Sequence, residues 1–427
     1  MARVTEAPRD RTPEASARPA VGGLGSYLLR ATMVNWLSSL LTVLYALFIT
    51  PIVIRALDKD LYGVWSFLNG LLAYSSLFYL GLGSAFIKYL SQFRAAGDRT
   101  AVNRLASVVF VIYTTIGVVS LMLCLALAPQ VPGLFAEPLD PSATRQTVTA
   151  LMLLGSRLLF MFVATVFSGV LIAEERITAA ARVNIAATIA RFIAVPLLLG
   201  HGPPLVTLAM IMSVSAAVET CALTVSALRF VPSLRIVPAV PRASELRMLY
   251  GFGFKSFFIL LSAWLVNYTD TTIIGLRLGA ASVAVYSIPL QLVAYGRVAA
   301  QGMVAALLPR LTAYETTGDR ATLTAAYLRI SRATNYVAAL IALNLLTLGP
   351  AFMSLWVGDE FAQPSRVVLY LLTLAGYCYA VSTQTSVPFY QAMNSLRAPV
   401  VILLIEAIVN LGLSVWLSTR MGITGVA

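Results

Sequence analysis

The chain has 427 residues, of which 59% are hydrophobic and only 11% are charged, with a net charge of +12. Soluble globular domains carry about 25% charged residues, and the mean hydropathy here is +0.84. This composition excludes an ordinary soluble domain and predicts a membrane protein.

Eleven apolar runs are long enough to cross a hydrocarbon core of roughly 30 Å as helices of about 20 residues. Transmembrane strands would be about half as long and would alternate in polarity. We therefore predict an all-α polytopic membrane protein. The predicted helices are 31–53, 62–86, 105–128, 147–173, 178–199, 204–227, 252–275, 281–308, 334–356, 366–390 and 398–418. Residues 1–28, rich in Arg, Pro, Ala and Gly, form a predicted disordered tail.

The basic residues predict the orientation of these helices. With a cytoplasmic N-terminus, inner segments hold 21 of the 30 Lys and Arg residues and outer segments hold 6, as the positive-inside rule requires. Since topology and anionic head groups account for the charge, we predict no nucleic-acid partner. Trp65 and Trp356, near predicted helix ends, are expected to be aromatic anchors at the membrane interface.

The sequence contains no pattern typical of a metal site or of a disulfide framework. Cys124, Cys221 and Cys378 lie within predicted helices and form no CxxC pair, and the single histidine is His201 in an outer loop. The ATP-binding P-loop pattern is also absent from the sequence. We predict no metal site and no cofactor.

The tripeptide Gly-Asp-Arg occurs at 97–99 and again at 318–320, 221 positions later. The same shift aligns 50–99 with 271–320 without a gap, and 14 of the 50 pairs are identical. Helix 1 then corresponds to helix 7 in the same orientation, which predicts parallel repeats of the kind that transporters rock about a central site. The tripeptide itself is most simply a turn whose Asp caps the next helix.

The duplication predicts two six-helix lobes around a central cavity. The N-terminal lobe covers 29–230, a cytoplasmic linker covers 231–249, and the C-terminal lobe covers 250–427 with five helices and the start of a sixth. The counterpart of helix 6 would begin near residue 425. We therefore expect the intact protein to have at least twelve spans, with the twelfth cut off in this sequence.

Residues 51–98 read "PIVIRALDKDLYGVWSFLNGLLAYSSLFYLGLGSAFIKYLSQFRAAGD" and contain P-x-x-x-R-x-L, Y-G-x-W, L-G-L-G-x-A and a cytoplasmic Gly-Asp, in that order. This stretch resembles the opening region of the polysaccharide biosynthesis proteins, the lipid-linked oligosaccharide flippases of the multidrug/oligosaccharidyl-lipid/polysaccharide (MOP) exporter superfamily. The resemblance implies an inner (plasma) membrane transporter, not an enzyme. Its substrate would be a polyprenyl-diphosphate-linked oligosaccharide moved from the inner to the outer leaflet. Its partners would be membrane lipids, a polysaccharide polymerase and glycosyltransferases.

Three arginines, Arg157, Arg191 and Arg297, fall inside predicted helices. An arginine at a helix centre costs about 2.5–3.5 kcal/mol on insertion scales, so we expect all three to face a wet interior. Arginine binds phosphate oxygens through several donors at once, which predicts a site for the diphosphate and glycan. Asn184 lies two helical turns from Arg191 and is placed on the same face of the site.

Glu219, Asp270 and Glu406 are the acids well inside predicted spans, and we consider them for proton or cation coupling. Ion pairs between these acids and the arginines, which would only fix helix packing, are the alternative. A drug/cation antiporter of the same superfamily also stays open, because three acids balance three arginines. A membrane glycan polymerase or glycosyltransferase would need a large outer loop with a cluster of acids or histidine, and the longest outer loop, 129–146, has none.

The predicted orientation can be tested by thiol labelling of a variant that lacks the three native cysteines. A cysteine in place of Ser142 should react with a membrane-impermeant maleimide in intact cells. A cysteine in place of Ala96 should react only after the membrane is opened, because it lies in an inner loop. The opposite pattern would contradict a cytoplasmic N-terminus.

Overall fold

The computed structural model describes residues 21–79, 82–305, 320–393, 395 and 397–427. Within these ranges the chain forms 14 α-helices, two 3₁₀ helices and no strand, which confirms the all-α prediction. Seven of the helices are long and apolar enough to cross a membrane, or eight if one bent pair counts as a single span. Residues 1–20 of the predicted tail and the Gly-Asp pair of the second tripeptide lie outside the described residues.

Among the described residues, the first half contains six α-helices and the second half contains eight. Those of the first half are α1 (Val21–Ala73), α2 (Leu82–Ala95), α3 (Arg99–Leu127), α4 (Pro141–Ala173), α5 (Ile177–Leu198) and α6 (Pro204–Phe230), with 3₁₀ helices at Tyr74–Tyr79 and Val131–Leu134. Those of the second half are α7 (Ala243–Leu278), α8 (Ala280–Ala305), α9 (Arg320–Thr347), α10 (Gly349–Val357), α11 (Asp359–Ser382), α12 (Ser386–Ala392), α13 (Arg397–Met421) and α14 (Ile423–Val426). Helices α9 and α10 form the bent pair, with an angle of 65° between them.

Helix α1 contains the whole first predicted span and the start of the second, and it is interrupted at Asp58. A straight helix of its 53 residues would be about 80 Å long, far more than a membrane core. Asp58 has φ 56° and ψ −175°, a conformation unfavourable for a residue with a side chain. Its carboxylate accepts a hydrogen bond from the Leu61 amide at 3.0 Å, which caps the second half of the helix.

The duplication is visible in the backbone. Gly279, 221 positions after Asp58, joins α7 to α8 with φ 84° and ψ 172°, so both repeats break at the equivalent residue in a similar conformation. The repeat seen in the sequence is therefore present in the backbone at this break.

The turn before α3 behaves as the first Gly-Asp-Arg tripeptide predicts. Asp98 caps α3 by accepting a hydrogen bond from the Ala101 amide at 2.9 Å. One turn further, Arg104 donates to both carboxylate oxygens of Glu245, at 2.8 and 3.1 Å, and thereby joins α3 to the start of α7. These hydrogen bonds hold the pKa of the Glu245 carboxyl below its usual value. The pair adds stability at neutral pH that is lost as the pH falls through the lowered pKa.

The helices pack as two lobes joined along α1, α7 and α8. In the first lobe, α4 packs against both α3 and α6, and α1 packs against α5. In the second lobe, α11 packs against α8 and α9, and α13 packs against α7. Helix α1 also crosses to the second lobe and packs on α7 and α8. The equivalent hairpins of the two repeats thus face each other across the lobe boundary.

The lobes touch backbone to backbone at the end of the bundle that holds the Asp58 break, which we call the closed end. A β-carbon added to Gly63 would lie only 1.8 Å from the carbonyl oxygen of Ala280. Nearby, the Ala136 amide donates to the carbonyl of Gly275 at 3.4 Å. Only glycine fits the first contact, because a side chain there has no room and the obstacle is main chain.

Replacing Gly63 with Ala should therefore force the two lobes apart at the closed end. Overpacking of this kind costs about 1–3 kcal/mol, so the melting temperature of the purified protein should fall by a few degrees. Gly133→Ala is the matched control, because a β-carbon there would meet nothing within 4 Å. Equal melting temperatures for both variants would contradict the backbone contact.

Candidate functional site

A cavity of about 590 Å³ lies between the two lobes, walled by the second half of α1 and by α4, α7 and α8. Its volume falls within the range of about 300–1,000 Å³ typical of small-molecule sites. On three of these helices, the residues that line the cavity recur every three or four positions. On α7, for example, the lining residues are Trp264, Asn267, Tyr268 and Thr271, which form one face of a helix.

Arg157 of α4 and Arg297 of α8 both line this cavity, one from each lobe. The Arg297 guanidinium donates to the side-chain oxygen of Asn267 at 3.0 Å and lies over the ring of Tyr379, 5.6 Å from its centroid. Among the described residues, Arg157 makes no hydrogen bond or ion pair, so its donors are available to a ligand. The lining contains no carboxylate in the part of the chain that the structure describes.

The structure places Arg191 and Asn184 inside the first lobe, outside the described lining of the cavity. Arg191 lies 3.7 Å from the carboxylate of Glu219 and donates to Thr188 at 3.2 Å. The side-chain oxygen of Asn184 accepts a hydrogen bond from Ser38 at 3.0 Å. Of the four predicted substrate-site residues, the described cavity lining includes Arg157 and Arg297 but not Arg191 and Asn184. Arg191 and Glu219 form the ion pair of the packing alternative.

Asp270 is buried within the second lobe, with 6% of its surface exposed. Its two carboxylate oxygens accept hydrogen bonds from Tyr286 of α8 at 2.8 Å and from Ser414 of α13 at 2.9 Å. Asn267, one turn earlier, faces the cavity instead, so the polar stripe predicted on α7 divides between two environments. Glu406 lies on the exposed side of α13, and no cluster of three metal-binding side chains forms among the residues that the structure describes.

Aromatic side chains form part of the cavity that sequence reasoning missed. Trp264 lies between Tyr74 and Tyr268, with ring centroids 4.3 and 4.5 Å apart. Trp65, predicted as a membrane anchor, also lines the cavity. Trp356, the other predicted anchor, is buried. Its indole N–H donates to the carbonyl oxygen of Leu47 in the first lobe at 2.6 Å. The i, i+3, i+4 spacing on α7 was the available signal for the first group.

A glutamine bridges the lobes at the cavity wall. The side-chain oxygen of Gln291 on α8 accepts hydrogen bonds from the hydroxyls of Thr50 and Tyr62 on α1, both at 3.4 Å. These contacts are long and sit between two elements that belong to different lobes. They are polar links that can separate without exposing an unpaired charge.

Comparison with known proteins agrees with this architecture. Residues 35–197 match the family model MatE. The chain superposes on the inward-facing conformation of a multidrug resistance MATE family transporter of the MOP superfamily with a TM-score of 0.73, at 14% identity, over 91% of this chain and 89% of that one. The fold is that of the MATE transporters. This MATE-type fold confirms the prediction of two six-helix repeats arranged as two lobes.

Two further relatives share most of the chain. A MOP superfamily transporter from Pyrococcus furiosus, described as having a binding pocket of reversed polarity that suggests a different function, gives a TM-score of 0.68 at 16% identity, covering 94% of this chain and 89% of that one. The uncharacterized membrane protein EpsK of Bacillus subtilis is 24% identical over 404 residues, covering 92% of this chain and 77% of EpsK.

Proposed function

We propose that this protein is a transporter that moves a polyprenyl-diphosphate-linked oligosaccharide from the inner to the outer leaflet of the plasma membrane by alternating access. The observation that carries the proposal is the positive charge of the cavity lining. Arg157 and Arg297 reach it from opposite lobes, and its described lining has no acid to balance them. Two arginines that face a cavity without a lining carboxylate favour an anionic ligand within a membrane.

A diphosphate suits these two arginines for geometric reasons. Each guanidinium offers several coplanar donors that can engage two phosphate oxygens at once, and such charge-assisted bonds are about twice as strong as neutral ones. Because the arginines belong to different lobes, one diphosphate can contact both. Binding would therefore couple the ligand to the relative position of the lobes, which is what alternating access requires.

The remaining lining suits a sugar. The faces of Trp65, Trp264 and Tyr268 supply flat apolar area with polar edges, which can cover the apolar faces of sugar rings. Amides of Asn69 and Gln291 in the same lining can pair with hydroxyl groups. The cationic drug of the rival antiporter would also favour aromatic faces, but it would meet two arginines and no described carboxylate.

The membrane potential supports the proposed direction of transport. In a cell with a negative interior, outward movement of an anion gains about 2.3 kcal/mol per charge per 100 mV. Within this proposal the partners are the lipid-linked oligosaccharide and membrane lipids. The glycosyltransferases that build the glycan and the polymerase that extends it act before and after the transport step.

Replacing Arg157 or Arg297 with Gln should abolish most transport of a fluorescent polyprenyl-diphosphate oligosaccharide in proteoliposomes. Loss of a hydrogen-bonded charge is worth about 1.5–3 kcal/mol, so we expect a decrease of roughly tenfold to a hundredfold. Arg366→Gln is the control, because Arg366 is exposed and contacts only the ring and hydroxyl of Tyr370 among the described residues. Normal transport in both cavity variants, or drug-cation transport by the unmodified protein, would overturn the proposal.

Of the three candidate coupling acids, Asp270 is the one we propose as the ion-coupling group. Glu219 is already paired with Arg191, and Glu406 lies on the exposed side of α13. Asp270 is held by two hydroxyls that belong to α8 and α13. A proton or cation at this carboxylate would change the contacts between three helices of the second lobe.

Asp270→Asn should remove the response of transport to an imposed proton or sodium gradient while potential-driven transport continues. The amide keeps the shape of the carboxyl but cannot change its charge. Ser414→Ala, which removes one donor and keeps the carboxylate, should retain the response. A gradient response that persists in Asp270→Asn would rule out this residue as the coupling group.

A further inference from the structure

A second cavity, of about 270 Å³, lies in the first lobe beside the arginine site. It is bounded by the end of α1 and the 3₁₀ helix Tyr74–Tyr79 on one side and by α3 and α4 on the other. Its described lining contains seven leucines and no charged side chain. We call this cavity the leucine groove. It contrasts sharply in chemistry with the polar cavity next to it.

The leucine groove and the arginine cavity share a wall. Leu72, Ser75 and Leu158 line both, and Leu158 directly follows Arg157 on α4. Tyr74 also lines the groove, while its ring packs on Trp264 of the cavity. The two spaces therefore lie side by side, within reach of the two parts of one elongated molecule.

The opposite side of the groove opens to the surface of the lobe. Leu72, Leu151 and Leu158 are buried and form its floor. Phe78 and Leu123 stand at its rim with 41% and 47% of their surfaces exposed. Because α3 is long and apolar enough to span a membrane, we expect this exposed rim to face acyl chains. The groove thus lies between the outer face of the lobe and the arginine cavity.

We infer that the leucine groove holds the first part of the polyprenyl chain while the diphosphate occupies the arginine cavity. This inference rests on the proposed function and adds the position of the lipid carrier. An apolar chain gains little by leaving lipid for leucines, since the two are equally apolar. The groove therefore contributes by placing the chain beside the cavity, and its affinity for the chain is small. It lets the diphosphate reach arginines deep in the membrane without drawing the chain through the polar cavity.

The groove can be blocked at its rim. Leu123→Trp should fill the opening and lower transport of the long-chain substrate by at least about tenfold, while a glycan diphosphate without the polyprenyl chain binds as in the unmodified protein. Met122→Trp is the matched control, because Met122 is the preceding residue, is 58% exposed and lies off the groove. This control should transport normally.

The outcomes separate the two proposals. If the unmodified protein neither binds nor transports the lipid-linked glycan, the proposed function fails. If the unmodified protein transports it and Leu123→Trp transports it equally well, the function stands and the groove inference is wrong. Loss of transport in both tryptophan variants would also overturn the inference, because the effect would then not depend on the groove.

Photolabelling gives a second measurement that needs no groove variant. A polyprenyl diphosphate with a diazirine near its head group should label peptides 71–78 and 120–127 of the reconstituted protein. Arg297→Gln should lower this labelling by about tenfold, because the head group would no longer hold the chain in place. Labelling that ignores Arg297→Gln would assign the groove to bulk phospholipid chains, and labelling spread over all lipid-facing helices would exclude a bound chain. Either result would overturn the inference.

Discussion

Holding two guanidinium groups within a membrane is the constraint on which the arrangement of the lobes depends. Arg157 lies at the middle of α4, and Arg297 lies within α8, where contact with lipid would be costly. The lobes meet closely at the closed end but leave a cavity of about 590 Å³ where these side chains project. Arg297 keeps a hydrogen bond and an aromatic face, whereas Arg157 keeps neither partner among the described residues. The cavity therefore spares both arginines the cost of contact with lipid.

The two lobes are alike in backbone but unlike in charge. Both repeats break at residues separated by 221 positions, Asp58 and Gly279. The position equivalent to Arg157 is Cys378, and the one equivalent to Arg297 is Ser76. Duplication thus supplied the symmetric frame, and later divergence placed a single cavity arginine on each lobe at non-equivalent positions. A ligand between the lobes meets one cation from each side without any symmetry of its own.

The division between polar cavity and leucine groove repeats the division within the proposed substrate. The arginine cavity offers charge, amides and aromatic faces, and the leucine groove offers hydrocarbon alone. Their shared wall, formed in part by Leu158 next to Arg157, places the two environments side by side. The carboxylate of Asp270 lies apart from both, among α7, α8 and α13. Ligand recognition and ion coupling would then occupy separate places in the same fold.

The sequence by itself determined the all-α class, the duplication and which charged residues fall within helices, because these follow from local composition and from a comparison of the chain with itself. Only the tertiary structure decided that Arg157 and Arg297 share a cavity while Arg191 pairs with Glu219. It also decided that Trp65 faces the cavity and that Trp356 is buried. The reason is physical. In a membrane the lipid is as apolar as the protein core, so hydrophobic patterning does not reveal which face of a helix points inward, and that choice is made by packing between helices distant in sequence.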